Sequence, residues 1–282
     1  MLHIFPMKEL ALLLNRLQGR YVYLVLMLVM SVVIVSCSPP EDSEELRSSQ
    51  KSDDQTGEEQ SDLNSTEAPA IITKDHPARI LVLGDSLSAG HLLASKEEAY
   101  PHLTEVMLKA QGYNVTMDNR SVVELRAENG IVELEKYFAG ESSNATHIFL
   151  ALGVNNGLDL IQGTGSDEVD KTLFNINPLE IALHAMVGRS KKKGVEVMIA
   201  GVQLPKNSGT NISIDEQILN KFHNTFISVA QKHSIPLWSD ILKGVTGQKN
   251  LIHDGDVYPN KQGHEVIAKN FYTFLTKQGS SN

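Results

Sequence analysis

The chain has 282 residues, enough for one or two domains, and 41% hydrophobic against 21% charged residues is the balance of a globular protein with a sizeable core. Its net charge of −9 is lopsided: residues 38–70 hold ten Asp or Glu against Arg47 and Lys51, a sum of −8, so the rest is near neutral and no basic patch points to nucleic acid. One cysteine excludes an internal disulfide and a cysteine-based zinc site, and the His264-Glu265 pair fails the zinc-protease spacing because position 268 is Ala268.

Lys8, Arg16 and Arg20 precede Tyr21 to Val35, an uncharged and almost wholly apolar run. A positive stretch followed by about 15 apolar residues has the shape of a secretory signal, whereas a membrane span needs roughly 20. The run ends Ile34-Val35-Ser36-Cys37. This resembles a bacterial lipobox, so residues 1–36 are expected to be a cleaved signal and Cys37 to carry diacylglycerol. A signal-anchor helix with an incidental cysteine is the competing reading, and the place of the one cysteine favours the lipoprotein. The stretch before the apolar run is long for a signal, which makes Met7 a candidate start. Ser38 after the cysteine, rather than aspartate, resembles Gram-negative lipoproteins sent to the outer membrane, facing the periplasm. Residues 37–76 are rich in Ser, Asp, Glu, Gln and Pro. They bury too little to offset their ordering entropy and predict a disordered acidic tether, extended by its like charges.

Residues 77–282 are expected to form a single domain. Arg79 to Gly84 reads as a buried strand. Pro101 opens a helix whose apolar side is Leu103, Val106, Met107 and Ala110. Tyr113 to Met117 is a second strand, Ala127 to Phe138 a helix, and Thr146 to Leu152 a third strand. Pro178 to Lys193 is helical, its closing lysines 191–193 suiting a helix C-terminus before Gly194. Val195 to Val202 is a fourth strand. Ser213 and Glu216 form a capping box ahead of a helix that aligns Ile218, Phe222, Phe226 and Val229. Ile235 to Trp238 is a short fifth strand. Pro259 starts the last helix, with Val266, Ile267, Phe271, Phe274 and Leu275 inward. Alternating strands and helices predict an α/β domain of three layers, a five-stranded, mostly parallel sheet with helices on both faces.

In such sheets, sites form at the C-terminal ends of strands. Three segments fall there: Gly84-Asp85-Ser86-Leu87-Ser88-Ala89-Gly90, Gly153-Val154-Asn155-Asn156-Gly157, and Asp254 to His264. A serine on a tight strand-to-helix turn can attack a carbonyl while its own N–H helps hold the oxyanion. An asparagine at a neighbouring strand end can donate there too. Each segment alone is also a plausible Gly-rich turn with capping side chains. All three, in this order and at these strand ends, are hard to explain that way.

These segments resemble the blocks of the SGNH, or GDSL-type, hydrolases, and within them the acyl-thioesterase, lysophospholipase and arylesterase branch. The resemblance runs through residues 79–276. It includes Ala99-Tyr-Pro-His-Leu, Ala110-Gln-Gly-Tyr-Asn-Val115, Ala200-Gly-Val-Gln-Leu-Pro-Lys-Asn-Ser-Gly209, Leu242-Lys-Gly-Val, and Pro259-Asn-x-x-Gly-His264. It implies a flavodoxin-like fold and hydrolysis of small acyl esters, thioesters or lysophospholipids without a cofactor or metal. It also implies Ser86 as nucleophile and oxyanion donor, and Asn155 as side-chain oxyanion donor.

The chain departs from the family pattern at Tyr258, which stands where the catalytic histidine belongs. Gly255 takes the place of the triad aspartate, with Asp254 and Asp256 on either side, as if one residue were inserted. Glu124 falls at a glycine whose N–H joins the oxyanion hole, and Asn156 replaces a usual aspartate. Serine is a poor nucleophile without a base, and tyrosine, with a pKa of about 10, is no base near neutrality. A Glu124 carboxylate would repel an oxyanion if it pointed inward; turned outward it is harmless. His253 is the first candidate for a substitute base, ahead of His264 and His91. The expectation is a membrane-tethered hydrolase-like protein of the bacterial envelope with weak or no turnover. Beside it stands a catalytically dead relative that binds an acyl or glycan ligand at the former cleft, and, third, a purely structural lipoprotein.

Overall fold

The computed structural model describes residues 70–163, 177–204, 216–254 and 257–277. Cys37 and the signal, most of the expected tether, Ser213 of the capping box, and positions 255 and 256 lie outside the described residues.

In chain order the elements are β1 (Ala78–Gly84), α1 (Ser86–Ala89), α2 (Tyr100–Ala110), β2 (Val115–Asn119), α3 (Ala127–Ala139), β3 (His147–Ala151), α4 (Val154–Gly163), α5 (Asn177–Lys192), β4 (Glu196–Ala200), α6 (Glu216–His233), β5 (Leu237–Trp238) and α7 (Lys261–Thr276). The strands lie in the order β2-β1-β3-β4-β5, and every pair is parallel, so the sheet is wholly rather than mostly parallel. Helix α2 packs with α7, while α3, α5 and α6 pack in succession. Right-handed crossovers put these two groups on opposite faces. That enclosure explains why β1 and β3 are continuous apolar runs rather than alternating ones.

Under α7 the core is aromatic. Phe271 stacks on Phe149 at 4.4 Å and on Trp238 at 5.3 Å, and Phe274 stacks on Trp238 at 6.0 Å. The last helix begins where its sequence asks it to. Asn260 caps it by accepting the Gly263 N–H at 3.1 Å, and its amide donates to the carbonyls of Asn250 and Ile252. This one side chain therefore fixes both the helix start and the loop before it.

Two expectations change. On α2 the buried residues are Tyr100, Pro101, Thr104 and Leu108, whereas Val106 and Ala110 of the expected face are exposed and Leu103 and Met107 only half-buried. The reason is Thr104, whose hydroxyl donates to Tyr100 O at 2.7 Å and lies 3.2 Å from Ala268 O on α7. A polar residue at a helix–helix seam hides the seam from an apolar periodicity. The packed domain also begins ahead of residue 77. The N–H groups of Ile71 and Ile72 both donate to Leu275 O, and Ile72 is 3% exposed within the core.

Candidate active site

Gly84 ends β1 in a space that admits no side chain: a Cβ there would lie 2.4 Å from Ser88 Oγ and 3.0 Å from Ala151 O. The chain then turns directly into α1, with Asp85 as its cap and Ser86 as its first residue. Asp85 is buried among backbone donors. Its Oδ1 accepts from Leu87 N–H, and its Oδ2 accepts from Gly153 and Val154 N–H at 3.2 and 3.0 Å. Burial pushes its carboxyl up to about 7, against the pull of those N–H groups. This one carboxylate thus binds the nucleophile turn to the start of α4. Ser88 Oγ and Tyr100 Oη share a 2.7 Å hydrogen bond, and Asn119 Nδ2 donates to Ser88 O at 2.8 Å, so α1 is fastened on its remaining sides.

Ser86 is buried, and its Oγ accepts the Glu124 N–H at 2.8 Å. Glu124 has φ +62°, a left-handed conformation suited to glycine, which accounts for the family's glycine at this position. The side chain is exposed, so of the two expected orientations the outward one holds. The backbone donor is therefore kept without a carboxylate beside the reacting oxygen. Asn155, in the first turn of α4, donates to Leu125 O at 3.2 Å, which sets its amide next to the Glu124 loop. Asn156 accepts Ala127 N–H at 3.1 Å and donates to Glu128 at 2.9 Å, tying α4 to the start of α3. Arg126 and Asp159 add an ion pair at 2.6 Å across the two elements. The structure brings the expected Ser86, the Glu124 N–H and Asn155 to neighbouring loops, held by Asp85, Asn119 and Asn156, to which the sequence analysis assigned no positioning part. A signal for Asp85 was present, since a capping residue stood directly before the expected nucleophile.

The last block is built differently. Ile252 and Pro259 form an antiparallel bridge, and His253 N–H donates to Tyr258 O at 2.9 Å, so Tyr258 is pinned at the base of a hairpin leading into α7. Its ring meets the nucleophile loop edge-on at His91, with centroids 4.9 Å apart and planes at 80°. His91 N–H in turn donates to Ser86 O at 3.0 Å. Asp254 is exposed, and among the described residues it pairs with no histidine. His253 Nε2 is enclosed without a hydrogen-bond partner. His264 is buried, accepts Tyr100 N–H at Nδ1 and stacks on the Tyr100 ring; burial pushes it down to about 4. It is a packing residue of the α2–α7 seam.

Chemically, the loops at these strand ends supply a serine hydroxyl, a backbone N–H aimed at it and an asparagine amide nearby. That is a set for adding an oxygen nucleophile to a carbonyl and holding the resulting oxyanion. Among the described residues no group of three or more His, Cys, Asp or Glu could hold a metal ion.

Known proteins are similar to this chain in sequence and fold. An arylesterase of Vibrio mimicus is 25% identical over 191 residues, covering 68% of this chain and 84% of its own. The esterase TesA of Pseudomonas aeruginosa is 23% identical over 214 residues, 76% of this chain and 96% of its own. A crystal structure of TesA superposes with a TM-score of 0.57 at 23% identity, covering 70% of this chain and 97% of the other. The psychrotrophic esterase EstA of Pseudoalteromonas sp., inhibited by monoethylphosphonate, superposes at 0.59 with 21% identity, covering 70% and 96%. These superpositions show a shared fold. The profile of the GDSL-like lipase/acylhydrolase family runs from residue 82 to residue 266, from the strand that delivers Ser86 to the helix that follows Tyr258, and the chain belongs to that family.

Proposed function

We propose that this protein is an envelope-tethered carboxylic-ester hydrolase of the SGNH type, acting on small acyl esters, thioesters or lysophospholipids with feeble turnover. The observation that carries this reading is the division within the cleft. Ser86 keeps its backbone oxyanion donor at 2.8 Å, while a phenol stands at the position of the base. Among the described residues no histidine hydrogen-bonds Ser86 Oγ. Removing the histidine of a serine triad costs about 10⁶ in turnover in a well-studied protease, which sets the scale of the loss. Relatives named for esterase activity support the reaction class. The same observation favours one second reading, in which the cleft only binds an acyl or glycan ligand.

The test is hydrolysis of a short p-nitrophenyl ester. Tyr258→His is expected to raise kcat/KM at least about 10²-fold, the lower range for a restored general base. Ser86→Ala should abolish both the gain and the basal rate. A Ser86-independent basal rate with no gain from Tyr258→His would leave the ligand-binding reading. Wild-type turnover of about 1–10³ per second that depends on Ser86 would overturn feeble turnover.

The tethering part rests on the lipobox-like Ile34-Val35-Ser36-Cys37 and the acidic stretch behind it. Cys37→Ala is expected to move the protein from the membrane fraction to the soluble one, or to leave it unprocessed. Unchanged retention and unchanged mass would remove the lipid anchor from the proposal.

A further inference from the structure

A serine without a base is idle, so the histidines around the Ser86 turn decide whether any turnover remains. The structure separates three of them. His264 has its Nδ1 committed to Tyr100 N–H and its ring stacked on Tyr100 at 6.2 Å, inside the α2–α7 seam. His253 has its Nε2 closed off by protein. His91 is different. It is half-exposed, its N–H donates to Ser86 O, and its ring lies edge-on against Tyr258, the residue at the base position.

The backbone beside His91 is strained at one residue, Leu92, whereas Gly90 takes its left-handed turn without penalty. Gly90 has φ +72° and Leu92 has φ +66°. For a bulky residue such as leucine the left-handed region costs about 1–2 kcal/mol. Leu92 is 46% exposed, so burial of its own side chain does not compensate for the strain. The two left-handed residues flank His91, whose N–H is held to Ser86 O while its ring rests on Tyr258. Strain of this kind is retained where the surrounding structure uses the geometry it creates.

We propose that His91 is the general base of the residual esterase reaction: the imidazole that the last loop lacks is supplied from the nucleophile's own loop, with the Tyr258 ring as its backstop. This rests on the esterase reading above. As Ser86 Oγ bonds to the ester carbonyl carbon, its proton passes to the unprotonated ring nitrogen of His91. The carbonyl oxygen takes the electron pair and is held by the Glu124 N–H and the Asn155 amide. The imidazolium then returns the proton to the alcohol oxygen as the C–O bond breaks, leaving acyl-Ser86. Water repeats the two steps, His91 taking its proton and giving it back to Ser86 Oγ, and the acid is released.

The experiment is chemical rescue on the full-length protein. Rates of p-nitrophenyl acetate hydrolysis are measured with and without free imidazole, subtracting the same reaction run with Ser86→Ala protein. That subtraction removes hydrolysis by imidazole itself and by surface histidines. His91→Ala is expected to lower the Ser86-dependent rate by about 10²-fold, and added imidazole to restore much of it. His91→Gln keeps size and polarity, so it guards against a folding defect and should be equally slow. A rate unchanged in both variants overturns the proposal. So does loss of rate in His253→Ala with His91→Ala unaffected, or a wild-type rate with no Ser86-dependent part. The esterase reading fails separately, through a Ser86-independent basal rate together with no gain in Tyr258→His.

Discussion

At φ +62° the Cβ of Glu124 is crowded, and among the described residues its exposed carboxylate makes no hydrogen bond or ion pair that would offset this. Its part in the site is played by the backbone alone, as the N–H donor to Ser86 Oγ. Replacing the side chain should therefore change stability and leave the donor in place. Glu124→Gly is expected to raise stability by about 0.5–1 kcal/mol, the left-handed penalty of about 1–2 kcal/mol less the extra freedom glycine gives the unfolded chain. Glu124→Val should lower it by a similar amount, since a β-branched residue is worse placed there. Urea midpoints compared at constant m-value measure both. Equal midpoints for the two variants would show that the loop yields and stores no strain.

Among the elements, those that were legible in the sequence are the ones whose cause is local. Apolar runs gave β1, β3 and β4, and Pro259-Asn260 gave the start of α7. Those that were not legible depend on partners far along the chain. Gly153-Val154-Asn155-Asn156-Gly157 reads as a turn because glycine and asparagine are poor helix formers. It nevertheless opens α4, because the first N–H groups find Asp85, 68 and 69 residues earlier. The inward face of α2 was missed for a similar reason: Thr104 has its second hydroxyl partner, Ala268 O, on α7. The segment Ile71–Ile72 looked like the end of an acidic tether, and only the carbonyl of Leu275 and the core beneath reveal it as part of the fold. A side chain that closes the core should be costly to lose. Ile72→Ala in the full-length chain is expected to cost about 2–3 kcal/mol, at the lower end of buried Ile→Ala changes. A loss below about 0.5 kcal/mol in denaturant unfolding would show that the segment only rests on the domain.

For the molecule as a whole, acid acts through groups of opposite sign. Burial lowers His264 to about 4, and burial also lowers His147 and His233. A base depressed in the folded state takes up more protons when unfolded, so its stability is present above about 6.5 and is lost as pH falls through the folded pKa. Asp85, raised to about 7, works the other way: its contribution is present below the ordinary carboxylate range and is lost as pH rises toward 7. Between about pH 6.5 and 4 the two oppose each other, and a single wild-type curve does not separate them. A variant does. His264→Asn keeps an acceptor for Tyr100 N–H and removes the titration. Its stability should fall less steeply than wild type from pH 6.5 to pH 4, the window set by the ordinary and folded values of His264. Parallel curves would mean that His264 takes up no proton on unfolding.

The place where the described chain enters the sheet has a practical consequence. Ala70 and Ile71 border a shallow pocket with His147 and Glu196, the first residues of β3 and β4, whereas Ser86 follows the last residue of β1. The entry point and the nucleophile therefore lie at opposite ends of the strands, about 20 Å apart for a seven-residue strand. Grafted to a bead or an electrode through the N-terminal side, the domain would turn its serine outward. Small esters would then approach the nucleophile end of the sheet from the solution side rather than from beneath a surface-bound protein.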